Sequence, residues 1–148
     1  MPDSGAQAGG AVLTRITLPF PPSTNNLFIN SSRGRFRSQK YDEWIKEAGW
    51  ELARQRPSKF VGPVVLLFHF QDGLDKRKRD VTNLIKAPED LLVRHGIIEA
   101  DDNSIVRGVE AYWNAAVTGV QITIESVSNR VPTNQTKEEC DERTEHRA

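Results

Sequence analysis

Val64-Val65-Leu66-Leu67-Phe68-His69-Phe70 is a β-branched and aromatic run of strand length, entered through Gly62-Pro63 and followed by Lys76-Arg77-Lys78-Arg79. Side chains of this shape fit a pleated surface, and so continuous an apolar run reads as the central strand of a sheet. His69 inside it reads as a packed strand residue rather than a ligand. Beyond the basic run, Asp80 opens a helical pattern with Val81, Leu84, Ile85, Leu91 and Leu92 as its apolar members, closed by His95-Gly96. Pro88 lies inside that pattern, which predicts a kink or a split into two shorter pieces. Two more strands are predicted, Ser104 to Trp113 and Val120 to Ser126, around a turn centred on Thr118-Gly119.

Working back toward the N-terminus, Val12, Ile16 and Leu18 alternate with Thr14 and Thr17 before Pro19, Pro21 and Pro22, which predicts a strand over about residues 12 to 18. Ser23-Thr24-Asn25-Asn26 turns the chain. Phe28 to Arg37 carries Gly34 and three arginines and reads as a loop or short ribbon with a basic edge. From Ser38 to Gln55, Tyr41, Trp44, Ile45, Ala48 and Leu52 recur at three- and four-residue spacing, as an amphipathic helix requires, with Ser38 as N-cap and Pro57 just past the end. The expected order is β-α-β-α-β-β: a single α+β domain over 12–127 with a mixed β-sheet and two main helices. Residues 1–11 and 128–148 lack apolar periodicity and are expected to be disordered tails.

A chain of 148 residues, 37% hydrophobic, holds one core. No apolar run approaches membrane-spanning length and the first residues do not have the layout of a secretory signal, so a cytoplasmic protein is expected, with no membrane partner. The single cysteine, Cys140, excludes an intramolecular disulfide and a cysteine-built zinc site. Any metal must take oxygen or nitrogen ligands. The formal net charge is zero, but basic residues cluster at Arg33, Arg35, Arg37 and Lys40 and again at Lys76, Arg77, Lys78 and Arg79. Acidic residues gather between Asp80 and Asp102 or in the last twenty residues. A basic surface around a small acidic site suits a metal-dependent phosphodiesterase; solvated loops are the ordinary alternative.

In-line hydrolysis of a phosphodiester needs an activated water and cancellation of the charge that builds on the phosphoryl and leaving oxygens. Mg²⁺ supplies both and takes one or two carboxylates plus water and substrate phosphate. Asp80 stands where the second helix is expected to begin, and Asp101-Asp102-Asn103 lie in the loop after it. A following strand that returns beside the helix would let these carboxylates converge. Lys86 shares a helix face with Thr82, and Glu89 returns toward it if Pro88 leaves the winding undisturbed. Each residue also has an ordinary reading. Asp80 serves as an N-cap, Asp101-Asp102-Asn103 as a polar turn, and Lys86 and Glu89 as a solvated face.

Ile16-Thr17-Leu18-Pro19-Phe20-Pro21-Pro22-Ser23-Thr24-Asn25-Asn26 resembles the N-terminal signature of the RusA family of Holliday junction resolvases. Arg79-Asp80-Val81-Thr82-Asn83-Leu84-Ile85-Lys86 resembles its central motif, and Asp101-Asp102 stands at about the expected distance beyond it. The resemblance spans about residues 14 to 126. It implies a homodimer that binds four-way DNA junctions and makes paired nicks with Mg²⁺ held by aspartates. Asp80 then resembles the first metal-binding Asp, Lys86 the essential lysine and Asp102 the metal-binding Asp of the pair, with Asp101 beside it. Asn83 resembles the motif Asn that shapes the helix start. Thr82 departs from the pattern, which commonly carries a second Asp there. Thr82 can still coordinate weakly through its hydroxyl or through water, and the expectation is that Glu89 or Asp90 supplies the missing carboxylate or that the enzyme works with fewer direct ligands. The resemblance assigns Lys76, Arg77, Lys78 and Arg79 to phosphates flanking the cut and Arg33, Arg35 and Arg37 to the junction arms. Two other functions fit the same residues: a branched-DNA-binding protein that does not cut, and a nuclease for flaps and other branched DNA.

Overall fold

The computed structural model describes residues 13–127; the expected tails, with Cys140, lie outside the described residues. Strand β1 is Leu13–Leu18, a 3-10 turn covers Thr24–Asn26, and β2 (Phe28–Ser31) and β3 (Gly34–Arg37) form a hairpin. Helix α1 is Gln39–Gln55, followed by β4 (Val64–Gln71), a 3-10 turn at Val81–Leu84, helix α2 (Lys86–Arg94), β5 (Val106–Asn114) and β6 (Val120–Ser126).

The main sheet has the order β1-β6-β4-β5. β6 runs antiparallel to both β1 and β4, while β4 and β5 are parallel. The sheet is therefore mixed and the fold α+β, as expected, with β4 central. A parallel pair needs a long crossover between its strands, and residues 72–105 provide it. Every candidate metal-site residue of the sequence lies in that connection.

Period-two alternation decides which sheet face is covered. Val64, Leu66, Phe68 and Phe70 of β4 are fully buried, as are Val120, Ile122 and Ile124 of β6 and Ile16 and Leu18 of β1. The helices lie on that face: Tyr41, Trp44, Ala48 and Leu52 of α1 and Ala87, Leu91 and Leu92 of α2 join the same core. The opposite face carries Arg15, Thr17, Gln121, Thr123 and Glu110 and stays solvated, a normal arrangement for a sheet with antiparallel strands. His69 points there, stacked on Tyr112 and in contact with Asn114 through Nδ1 at 3.2 Å, a packed strand residue as expected. The outer edge of β1 is shielded by Gln55, whose amide accepts from Thr17 N at 2.9 Å and donates to Thr17 O at 2.7 Å. Occupying both backbone groups blunts an edge that would otherwise template strand pairing.

Of the two readings of the stretch after Phe28, loop or ribbon, the structure takes the two-stranded ribbon, which adds two strands to the expected order and makes it β-β-β-α-β-α-β-β. Three local expectations are corrected. The second helix does not begin at Asp80: Val81–Leu84 is a 3-10 turn, and α2 starts at Lys86. Pro88 is the third residue of that helix, where its missing N–H is one of the donors no helix satisfies internally, so it neither kinks nor splits α2. β5 begins two residues later than predicted, because Asp102 and Ser104 close a turn first.

Candidate active site

Thr82 and Lys86 do not share one helix face, because a 3-10 turn and a helix start separate them. Asp80 precedes that turn with an extended backbone and makes no capping hydrogen bond with its side chain. It is exposed and lines a cleft of about 630 Å³. The cleft takes one wall from Phe20, Asn25 and Asn26, and another from Arg77, Lys78 and Arg79. Helix α1 supplies a third wall with Lys40, Glu43 and Glu47. Trp44 ties these walls together, its indole N–H donating to Pro19 O at 3.0 Å, and Thr24 Oγ1 donates to Asn83 O at 2.9 Å.

The basic run is divided by its partners. Arg79 grips Asp75 through both terminal nitrogens, at 2.7 and 2.8 Å, and lies over the Phe20 ring at 5.4 Å. The Arg79 fork and the Arg77 N–H hold the Asp75 carboxyl well below the usual carboxylate range. Arg79 therefore pins the loop to the cleft, while Lys76 and Lys78 are exposed and have no ion pair among the described residues.

A second charged group forms around Lys86. Its Nζ lies 3.0 Å from Asp90 Oδ1 and 3.2 Å from Asp101 Oδ2. The hydrogen bond to Asp90, with a lesser one to Asp101, raises the Lys86 pKa against its partial burial. Glu89 is half-buried, and desolvation, then the charge of Asp101, pushes its carboxyl upward. One ammonium thus contacts two carboxylates, with the half-buried Glu89 carboxyl within electrostatic reach of both Lys86 and Asp101. Asp102 turns elsewhere: its carboxylate accepts from Ser104 N at 2.9 Å and from Ser104 Oγ, which lowers its pKa and shapes the turn into β5. The structure thus brings Lys86, Glu89, Asp90 and Asp101 together, places Asp80 on the cleft, and leaves Thr82 exposed beside it.

The donor chemistry suits a hard divalent cation, since every acidic side chain here offers oxygen. Among the described residues, however, no three acidic or imidazole side chains are drawn together closely enough to hold a metal. A hard cation seated here would therefore have few protein ligands, with the remaining positions left to water and phosphate. Sequence reasoning missed Glu43 and Glu47 on the cleft, for which a solvated helix face gave no signal. Asn25 and Asn26 had one, the N-terminal signature.

Residues 19–125 match the family model described as Endodeoxyribonuclease RusA. The chain belongs to this RusA family. It is also similar to the crossover junction endodeoxyribonuclease rusA of Enterobacteria phage HK97, 27% identical over 118 residues, which covers 76% of this chain and 97% of that protein. The matched region runs from the cleft's proline-rich wall through the whole crossover into β6, so it takes in most of the described fold but not β1. Membership makes the chain an endodeoxyribonuclease.

Proposed function

We propose that this RusA-family enzyme resolves four-way DNA junctions by paired nicks, acting as a Mg²⁺-dependent homodimer. The observation that carries the reading is the crossover itself. It presents Asp80 on a cleft edged by Lys78 and Arg77, and Lys86 between Asp90 and Asp101. The name of the phage relative supports the junction as substrate. A two-fold enzyme offers two sites to two symmetry-related strands, which suits paired cleavage.

In this reading Asp80, Asp101 and Asp102 hold the cation, with Glu89 or Asp90 in place of the carboxylate that Thr82 lacks. When bound, Mg²⁺ supplies Lewis acidity and an acidified water. The chain's own residues do the rest. Lys86, its ammonium held charged by two carboxylates, meets a phosphoryl oxygen of the scissile bond as charge builds there. Lys76 and Lys78 bind neighbouring phosphates and set the strand's register. Arg79, fixed by Asp75, keeps the loop before Asp80 in place.

The test is cleavage of a synthetic four-way junction with and without Mg²⁺, beside an Asp80→Asn variant. Symmetric nicks that need the metal and vanish in the variant are expected; intact junctions under all conditions would defeat the proposal. Flap and splayed-arm substrates cut as fast as the junction would point to a general branched-DNA nuclease instead.

A further inference from the structure

Every residue of the β2–β3 hairpin, Phe28 to Arg37, is exposed. Its register pairs Phe28 with Arg37, Ile29 with Phe36, and Asn30 with Arg35. Since paired residues share a face, the ribbon has two distinct sides. One is turned to α1: the Phe28 ring meets Tyr41 edge-on at 5.9 Å, Arg35 lies over Phe28 at 4.3 Å, and Arg37 pairs with Asp42 at 2.8 Å. The other presents Ile29 and Phe36, 55% and 52% exposed, as an apolar pair outside the hydrophobic core of the described residues.

The charge around that pair selects its partner. The ribbon carries Arg33, Arg35 and Arg37 and no acidic residue, in a protein whose formal net charge is zero. Its base is continuous with the cleft: Ser38 N donates to Leu27 O at 2.8 Å and Ser38 Oγ to Asn26 O at 2.6 Å, and Asn26 lines the cleft wall. A strand held in the cleft would therefore run on toward the hairpin. Intact duplex offers phosphates and polar groove edges, but its base faces are stacked away. An aromatic and aliphatic pair gains most where base faces are open, at a branch point.

We propose that the β2–β3 hairpin is the branch-sensing element, with Phe36 and Ile29 abutting the unstacked bases at the crossover and Arg33 gripping a flanking phosphate. This deepens the reading of the chain as a junction enzyme and rests on it. A two-stranded ribbon is marginally stable alone, and a cross-strand pair strengthens it, so the test must separate recognition from stiffening.

The full-length chain is titrated against a four-way junction carrying 2-aminopurine beside the crossover and against linear duplex of the same sequence. Wild type should bind the junction more tightly and change the 2-aminopurine emission. Phe36→Ala should lose about ten- to hundredfold in junction affinity, lose the emission change and bind duplex as before. Phe36→Trp should retain both junction responses. Equal loss on junction and duplex marks a merely stiffening pair and overturns the inference, as does unchanged binding of Phe36→Ala to both. Conversion of a dimer to a monomer by Phe36→Ala in sedimentation would identify the face as a contact between copies and likewise overturn it. A wild-type protein that does not distinguish junction from duplex defeats the proposed function itself, before any variant is compared.

Discussion

At the level of single residues, the Asp101-Asp102 pair divides its labour in a way adjacency conceals. Asp101 reaches Lys86, whereas Asp102 is engaged by two groups of Ser104. If both carboxylates serve the cation, each Asn variant should lower cleavage by a hundredfold or more, and excess Mg²⁺ should partly restore it. If Asp102 only shapes the turn, Asp102→Asn should leave the Mg²⁺ dependence of single-turnover cleavage unchanged while Asp101→Asn shifts it. Asp75 makes a prediction about pH. Its carboxyl, engaged by the Arg79 fork and the Arg77 N–H, is held below its unfolded value of about 4. The stabilisation is present above that unfolded value and is lost as pH falls through the lower folded one. The gap in urea midpoint between wild type and Asp75→Asn should be constant from about pH 8 to 5 and narrow progressively below about pH 4; a gap as wide at pH 2 as at pH 7 would contradict the assignment. The Lys86–Asp90 contact has the four-residue spacing of a helix pair, but Lys86 was set against Thr82 instead. The Arg79–Asp75 clamp has the same spacing but lies in a loop, where sequence periodicity carries no geometric meaning, and it was read as free charge.

Among the elements, β1, α1 and β6 were legible because each has one covered face and an apolar period to match, and β4 because its apolar run is continuous. The start of α2 was not. Val81, Leu84 and Ile85 continue the three- and four-residue spacing of the helix, so a 3-10 turn and an α-helix look alike until backbone angles separate them. The hairpin was half legible, since none of its residues is buried and no hydrophobic alternation marks it. The β5–β6 turn was legible through Gly119, and its reason is geometric. Gly119 has φ +75°, and a Cβ there would lie 2.2 Å from Leu18 O on the neighbouring strand. Gly119→Ala should cost about 3–5 kcal/mol or prevent folding. Gly73, with φ +79° and open space around it, isolates the backbone part: Gly73→Ala should cost only about 1–2 kcal/mol. Equal urea midpoints for the two variants would show that the close approach to Leu18 does not matter.

For the molecule as a whole, zero net charge conceals a segregation of sign. The exposed Lys76 and Lys78 lie beside a cleft that also holds Asp80, Glu43 and Glu47. Neutralising both lysines as Lys76→Gln/Lys78→Gln should weaken DNA binding and reduce the slope of log affinity against log salt by about 2 for duplex arms; an unchanged slope would mean that neither meets a phosphate. Neutralising Arg79 should instead disturb folding of the loop, because its charge is already used. The sheet's outer pair has a different consequence. Leu13 and Glu125 are register partners on neighbouring antiparallel strands, so the first and last described strands begin and end side by side. A short linker there, with a new opening between α1 and β4, gives a circular permutant that severs no strand pairing and leaves the 72–105 connection whole. The order in which the ribosome delivers the parts is then a free variable: the permuted chain would make its charged connection before its proline-rich wall, yet should arrive at the same native state.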